Sequence, residues 1–356
     1  MSQGKGQFCR PPYAKTAYSA KTILACVALA VICASYQAPA AEQRTGRGID
    51  DLFKRLHYEP ISFFYDDNSP LIKGKLGSKQ RVFLLDTGCT LTRLQPQVAT
   101  GLKTLGELRT TLDDGLFGIL TEPSIVVMEK LTLGGTQFLN QPARSEKLQM
   151  IYIGFNPDGV LGCDFLFRNF CMIDCVGKRL YVRGVKPSEV EAKAFEESLR
   201  SSAFVEVPFH GGRRPFINAQ INSRAIQFLV DTGANISILD ELQFKELGLT
   251  TTKKEYVGSV IPEELSSRVF GVGKIGAHRV RFTRLKTLQL GAGEWKNIDL
   301  GVVDLRAWTS SGTGTAARHM DGILGVDMLE AYSALIDFSN HKLWLQPQKK
   351  APRSLP

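Results

Sequence analysis

The chain has 356 residues, enough for two domains of ordinary size with their own apolar cores. Its composition, 43% hydrophobic and 22% charged, is typical of a folded protein and argues against a disordered one. The formal net charge is +9, and residues 1–40 contribute +4 of it, which leaves a modest +5 for the remainder. The basic residues are scattered without an interleaved aromatic stripe, so we expect no nucleic-acid partner.

Residues 1–40 have the pattern of an export signal. Basic residues end at Lys21, an apolar run covers residues 22–34, and Ala38-Pro39-Ala40 has the small residues that a signal peptidase reads. The run is short for a bilayer span, and an uncleaved membrane anchor through residues 22–34 is the main alternative. A lipoprotein signal at Cys26 is weaker, because little apolar sequence precedes it. We therefore expect an exported protein, periplasmic or secreted, that contacts a membrane only if this segment is retained.

The sequence contains an internal repeat. Residues 70–94 align without a gap with residues 215–239 at an offset of 145. A second motif, residues 158–166, matches residues 321–329 at an offset of 163, so the second copy has 18 additional residues between its motifs. Part of this excess is residues 309–317, whose Ser, Thr and Gly content predicts a loop. Short alternating strands predict mainly antiparallel β-structure in each copy.

Each copy contains an apolar run that ends in Asp-Thr-Gly, at Asp86-Thr87-Gly88 and at Asp231-Thr232-Gly233. The apolar run predicts a buried strand, which presents the aspartate at its tip in a partly dry site. Glycine allows a tight turn and a close approach by the other copy. We expect each threonine to hold its hydroxyl against the backbone across the interface.

Two such aspartates suggest one catalytic pair. Carboxylates within hydrogen-bonding distance cannot both ionise, so they share a proton. The ionised member can take a proton from a water molecule while the protonated member donates to a carbonyl oxygen, which hydrolyses an amide without a metal or a covalent intermediate. We expect Asp86 and Asp231 to form this pair within a monomer, as an intramolecular pseudo-dimer. Pairing between two molecules is the alternative.

These motifs resemble those of retropepsin-like (retroviral-type) aspartic proteases, with two lobes fused in one chain as in pepsins. The close spacing of the two Asp-Thr-Gly motifs and the near-equal lobes favour the bacterial members of the clan over pepsins. The resemblance covers residues 60–348. It implies an all-β, mainly antiparallel, bilobal acid-protease fold with pseudo-twofold symmetry and a few short helices. It also implies that the apolar-apolar-glycine motifs ending at Gly162 and Gly325 support the Asp-Thr-Gly loops, and that short helices begin near Asp164 and Asp327.

The resemblance further implies a flap over the substrate. The best sequence matches for flap and substrate-binding residues are, in the second copy, Phe270, Gly271, Val272 and Gly273 and, in the first, Leu116 and Phe117. In pepsin-like enzymes a hydroxyl side chain usually follows the glycine of the Asp-Thr-Gly motif, but this chain has Cys89 and Ala234 there. Because neither side chain is a strong donor, we expect a mildly acidic to neutral pH optimum.

The predicted organisation follows from these motifs. After the signal peptide we expect an N-terminal extension with a short helix over residues 41–57, a first lobe over 58–186 and a linker helix over 187–202. A second lobe over 203–348 and a tail over 349–356 complete the chain. The two lobes are called the first half and the second half below.

The remaining titratable residues predict no cofactor and no metal site, because the five histidines are dispersed and no His/Cys cluster has zinc spacing. Cys89 and Cys163 lie in loops that should converge, which leaves a disulfide, a redox-sensitive thiol or plain buried side chains open. Cys171 and Cys175 on one strand would lie roughly 13 Å apart, too far for a disulfide. We expect an aspartic endopeptidase acting on a peptide or protein substrate. A catalytically silent protein that binds a peptide or partner is the alternative.

Overall fold

The structure is a computed structural model that describes residues 51–66, 68–107, 124–148, 157–252, 281–305 and 320–346. Residues 51–55 are helical, as the apolar spacing of this segment predicts. The first half contains the strands β1 (Glu59–Ser62), β2 (Phe64–Asp66), β3 (Ser69–Leu76), β4 (Lys79–Leu85), β5 (Arg93–Leu94), β6 (Lys103–Glu107), β7 (Ser124–Leu133), β8 (Thr136–Ser145), β9 (Gly159–Leu161), β10 (Met172–Asp174) and β11 (Arg179–Val182).

The second half contains a matching set of strands. They are β12 (Val205–Pro208), β13 (Phe216–Ile221), β14 (Arg224–Val230), β15 (Ile238–Asp240), β16 (Arg281–Leu290), β17 (Gly293–Val303), β18 (Gly322–Leu324), β19 (Leu335–Asp337) and β20 (Lys342–Leu345). The helices are short except for the linker, and they are α1 (Pro96–Ala99), α2 (Cys163–Arg168), α3 (Glu189–Ser201), α4 (Glu241–Glu246) and α5 (Val326–Ala331).

Each half is built around a sheet with the same strand order. In the second half β13-β14-β18-β15-β17-β16 form a closed barrel. In the first half β3-β4-β9-β5-β8-β7 pair in the corresponding order, and an additional pairing between β3 and β7 joins the ends, with β2 and β6 added outside. In both halves a parallel pairing, β4 with β9 and β14 with β18, sets the apolar-apolar-glycine strand beside the strand that ends in aspartate. The two halves therefore present their aspartates in the same way.

A third sheet joins the halves, with the order β1-β11-β10-β19-β20-β12. Its centre is the antiparallel pairing of β10 with β19, in which Ile173 lies opposite Ile336. These two residues are 163 apart, which is the offset between the later motifs of the two copies. The pseudo-twofold axis therefore runs through a position where a residue pairs with its own equivalent.

The core follows from the strand patterns. β13 and β14 alternate buried and exposed positions at their outer ends and become continuously apolar toward the aspartate. One large apolar cluster spans both halves and includes Phe83, Phe228 and Ile336, all fully buried. This is the mainly antiparallel all-β fold with a few short helices that the sequence predicts, so the predicted fold class is confirmed.

Several predicted elements are confirmed at their positions. The short helices expected near Asp164 and Asp327 are α2 and α5, which each begin one residue before these aspartates. The linker helix α3 begins after Ser188, whose hydroxyl accepts from the Glu191 N–H while the Glu191 side chain accepts from the Ser188 N–H, a capping box. Within the described ranges no helix has both the length and the apolar character needed to cross a membrane. The signal region and residues 309–317 lie outside the described residues.

Candidate active site

The candidate site lies at the ends of β4 and β14, where each buried strand stops and the Asp-Thr-Gly turn begins. The N–H of Asp86 donates to the carbonyl of Leu161 at 3.2 Å, and the N–H of Asp231 donates to the carbonyl of Leu324 at 3.0 Å. The parallel β9 and β18 thus extend each ladder by one residue. Asp86 and Asp231 are 3% and 7% exposed, so both carboxyl groups are held in a largely dry site.

The structure brings the two carboxyl groups together. Asp86 and Asp231 are hydrogen-bonded to each other through their side chains. The glycines make this approach possible: a Cβ on Gly88 would lie 2.5 Å from Cγ of Asp231, and one on Gly233 would lie 2.7 Å from Cγ of Asp86. A side chain at either position, even a single methyl group, would occupy the space of the opposite carboxyl group.

The two threonines cross-link the tips in a reciprocal pattern. The hydroxyl of Thr87 donates to the carbonyl of Val230 at 2.7 Å, and the hydroxyl of Thr232 donates to the carbonyl of Leu85 at 2.7 Å. Each hydroxyl also accepts the backbone N–H of the other threonine, at 3.0 and 3.1 Å. Both threonines are buried, so these four bonds hold the two turns in a fixed relative position.

The apolar-apolar-glycine motifs contact the backbone of the two Asp-Thr-Gly turns and support them. A Cβ on Gly162 would lie 2.8 Å from the carbonyl oxygen of Cys89, and one on Gly325 would lie 2.8 Å from the carbonyl oxygen of Ala234. The residue after each glycine donates its N–H to that same carbonyl at 2.8 Å. Glycine is needed at both positions because the two backbones are in contact.

A second pair of hydroxyl residues, which the sequence reasoning missed, holds these glycine motifs. Thr92 accepts the N–H of Gly162 at 3.2 Å and donates to Asp164 at 2.7 Å. Ser237 accepts the N–H of Gly325 at 2.9 Å and donates to the carboxylate of Asp327 at 2.6 Å. Thr92 and Ser237 are 145 residues apart, so the repeat offset already aligned two hydroxyl residues and was the signal that could have found them.

Several groups around Asp86 favour its ionised form and thereby oppose the effect of burial on its pKa. Burial raises its pKa and the net shift is upward, but the N–H of Gly88, the charge of Arg93 and the N–H of Cys89 each reduce that rise. The two N–H groups donate to the same oxygen, Oδ1, at 2.8 and 3.1 Å. The Cys89 side chain is not a strong donor, but its backbone N–H and that of Gly88 stabilise the ionised carboxylate of Asp86 instead.

Asp231 is biased toward its protonated form. Burial raises its pKa first, and the negative charge of Asp86 raises it further. The N–H of Gly233 donates to its Oδ1 at 2.8 Å, and the charge of Arg214 acts in the opposite direction to burial. The net shift is upward for both carboxyl groups, but only for Asp231 does the charge of the other aspartate contribute to the rise. The surroundings therefore distinguish two carboxyl groups that the sequence left equivalent.

A buried cluster of charged residues lies beside Asp86 in the first half. Arg93 pairs with Glu146 at 2.8 Å, and Arg144 approaches the other oxygen of Glu146 at 3.6 Å, with all three residues at most 5% exposed. The strand registers place Ile238 at the position of Arg93, and Val303 at that of Glu146. The same place in the second half is therefore apolar.

The four cysteines of the described residues are buried, and none forms a disulfide. The Cys89 thiol donates to the carbonyl of Leu91 at 3.0 Å, and the Cys163 thiol donates to the carbonyl of Thr87 at 3.1 Å. Burial raises the pKa of the Cys163 thiol, which keeps it protonated. Of the alternatives that the sequence left open, the structure has plain buried side chains at these positions.

The flap residues expected from the sequence, 270–273 and 116–117, lie outside the described residues. Among the described residues, no group of three or more His, Cys, Asp or Glu side chains could hold a metal ion. The carboxyl pair itself offers proton transfer: one member can accept a proton while the other donates one.

The comparison with protein families finds a match in the second half. Residues 217–331 match a family model described as gag-polyprotein putative aspartyl protease. Among solved structures, the aspartic proteinase from Irpex lacteus matches with 14% identity and a TM-score of 0.46, over 82% of this chain and 98% of that chain. No curated protein sequence matches this one.

The family match covers β13 to α5 and includes Asp231-Thr232-Gly233 and the glycine motif that ends at Gly325. The resemblance expected from these motifs is thereby confirmed, while the assignment to the bacterial members stays a prediction. The chain is a two-lobed, all-β protein similar to the retropepsin-like aspartic proteases, and its second half carries the sequence signature of the retroviral-type aspartyl protease family.

Proposed function

We propose that this chain is an exported aspartic endopeptidase that hydrolyses peptide bonds through Asp86, Asp231 and an activated water molecule. The single observation that supports the proposal most is the contact between two buried carboxyl groups, each at the tip of a strand from a different half. A buried pair of this kind is costly to fold unless it shares a proton, and a shared proton is what acid–base hydrolysis uses.

In the proposed mechanism Asp86 is the base and Asp231 is the acid. The Asp86 carboxylate takes a proton from water as the water oxygen attacks the carbonyl carbon of the peptide bond. The Asp231 carboxyl group gives its proton to the carbonyl oxygen, which forms a neutral tetrahedral diol. Asp86 then gives its proton to the amide nitrogen while Asp231 takes a proton from a hydroxyl group of the diol. The C–N bond breaks to leave a carboxylic acid and an amine, and the pair regains its starting protonation state.

The assignment of roles follows from the unequal surroundings of the two groups. Asp86 accepts two backbone N–H groups and is near Arg93, which favours its charged form. Asp231 is buried next to that charge, which favours its neutral form. The pair titrates as a unit, so these roles describe the dominant arrangement of a single shared proton.

The pH dependence follows from the same surroundings. Activity requires one ionised and one protonated carboxyl group, so it falls at high pH when the second proton leaves. Because the pKa of Asp231 is raised, we expect this alkaline limb above the ordinary carboxylate range, which favours a mildly acidic to neutral optimum. A profile with its maximum at the acid extreme would contradict this expectation.

The test is peptide hydrolysis by the purified mature protein and by the Asp86→Asn and Asp231→Asn variants. A mixed peptide library is incubated from acid to neutral pH, and cleavage is measured by mass spectrometry. We expect each variant to lose about 10²–10⁴-fold in rate, the usual contribution of a general acid or base. Asp66→Asn, at an exposed position on β2, is the matched control and should keep the parent rate.

Two results would decide against the proposal. Equal residual cleavage by the parent and both active-site variants would mean that another protein or another site cuts the peptides. Peptide binding without cleavage at any pH would favour the silent binding protein. Export is tested separately, by sequencing the N-terminus of the protein from the extracellular or periplasmic fraction: a start near residue 41 supports signal removal, whereas retention of residues 22–34 in a membrane fraction supports the anchor.

A further inference from the structure

Arg214 lies two residues before β13, in the turn at the edge of the candidate site. In the antiparallel pairing of β13 with β14, Phe216 lies opposite Leu229. The carbonyl of Pro215 accepts the N–H of Val230 at 2.9 Å, which continues the ladder by one residue. Arg214 precedes Pro215 and Asp231 follows Val230, so both residues lie just beyond the same end of this ladder, with Arg214 in the turn that leads into β13. The backbone pairing of β13 with β14 therefore holds this turn beside the strand that presents the proposed acid.

The side chain of Arg214 packs along the second half of the site. Its guanidinium carbon lies 5.3 Å from the centre of the Phe216 ring, and the residue is half-buried. Phe216 belongs to a buried apolar cluster with Leu229 and Ile323. Leu229 is two residues before Asp231, so both side chains leave β14 on the same face. The arginine thus caps an apolar surface on the face of the sheet that carries the acid.

The charge of Arg214 reaches groups from both halves. It acts on the carboxyl group of Asp231 in the second half and on the thiol of Cys163 in the first, in each case lowering the pKa. None of the ion pairs among the described residues includes Arg214. A half-buried guanidinium beside the site, without a carboxylate partner in the described part of the chain, is suited to pair with an anionic ligand.

The first half has no equivalent cation. The offset of 145 aligns Arg214 with Ser69, which is 1% exposed and lies at the start of β3. The site therefore has a cation beside Asp231 and a buried hydroxyl at the matching position beside Asp86. A peptide that crosses the two halves meets different chemistry on its two sides.

We propose that Arg214 recognises an acidic side chain of the substrate, so that the enzyme prefers peptides with Asp or Glu on the side of the scissile bond that lies over the second half. The proposal rests on the proposed endopeptidase function and adds its substrate class. A guanidinium binds a carboxylate through two parallel N–H···O bonds, and partial burial against Phe216 makes that pair stronger than one fully in water.

The test uses peptide pairs that differ by Glu against Gln at one position, with that position moved along both sides of the scissile bond. We expect kcat/KM to favour the Glu peptide by about tenfold at one position, as for a partly buried charged hydrogen bond. The preference should vanish in Arg214→Gln and should turn toward a Lys peptide in Arg214→Glu. Arg213→Gln, at the exposed neighbouring position, should keep the parent preference.

The ratio within each peptide pair separates recognition from catalysis, because any change in the acid–base chemistry affects both peptides alike. Equal kcat/KM for every Glu and Gln pair, or a preference that survives Arg214→Gln, would overturn the inference. If the parent cleaves none of the peptides, the proposed function fails, and the dissociation constants of the same pairs test Arg214 alone. Tighter binding of the Glu peptide that Arg214→Gln removes would still support it, and equal affinities would contradict it.

Discussion

The first and second halves of the molecule agree in their hydrogen bonds and differ in their charges. Thr87 and Thr232 make the same bonds in reciprocal positions, and the glycine motifs contact the two turns in the same way. The charges are distributed differently: Arg93 acts on Asp86 from within its own half, and Arg214 acts on Asp231 from the turn before β13. The comparison teaches that the matching hydrogen bonds hold the two aspartates in equivalent positions. The unequal charges around them make it easier for one aspartate to be ionised while the other keeps the shared proton.

The largest expected effect concerns the buried charges of the first half. Glu146→Gln keeps the shape of the side chain but leaves Arg93 and Arg144 buried without the carboxylate between them. We expect the free energy of unfolding to fall by about 3–5 kcal/mol. Val303→Ala at the matching position of the second half should cost only about 2 kcal/mol, the value for a few buried methyl groups. Both losses are to be measured by urea denaturation at neutral pH. Equal losses would contradict the expected difference between the charged position in the first half and the apolar position in the second.

The next effect tests the symmetric part of the comparison. Thr87→Val and Thr232→Val each remove a hydroxyl that donates to a buried carbonyl and accepts a buried N–H of the other half. We expect each variant to lose about 2–3 kcal/mol of unfolding free energy, because the former partners remain buried and unpaired. The two losses should agree within about 1 kcal/mol, since each threonine makes the same pair of bonds. Clearly unequal losses in denaturation would show that the reciprocal bonds do not carry equal weight.

The smallest effect tests the asymmetric charges through the pH profile of kcat/KM. Each arginine lowers the pKa of its aspartate, so removing it raises that pKa. Arg93→Met should move the acid limb to higher pH, because Asp86 then ionises later. Arg214→Gln should move the alkaline limb to higher pH, because Asp231 keeps its proton longer. We expect each shift to be at most about one pH unit, or about 1.4 kcal/mol. If both variants moved the same limb, the assigned roles would be wrong.

The sequence predicted the local parts of the site well. An apolar run that ends in Asp-Thr-Gly already indicates a strand tip, and a glycine after two apolar residues already indicates a close backbone contact. The proline and helix-forming residues after β11 likewise indicated α3. Each of these inferences needed only a short segment of chain, and the repeat supplied a second example of most of them.

The remaining parts of the site depend on residues that are distant in sequence. Arg93 and Glu146 are separated by 53 positions, and their pairing follows from the parallel contact of β5 with β8. The role of Thr92 likewise needs β9 to lie beside it before its hydroxyl can reach the N–H of Gly162. Arg214 looks like an ordinary surface arginine until the pairing of β13 with β14 brings the turn before β13 to the end of the strand that carries Asp231. The roles of these charged and hydroxyl side chains can be inferred only once the long-range strand pairings are known.

The pairing of Ile173 with Ile336 at the centre of the joining sheet has one more consequence. A strand that meets its own equivalent in antiparallel register needs only a second copy of itself as a partner, so this strand is suited to join two identical halves as well as two different ones. In a pair of identical halves every substitution appears twice. A single polypeptide with two copies allows Arg93 in one half and Ile238 at the matching position of the other, and so gives its two aspartates different surroundings.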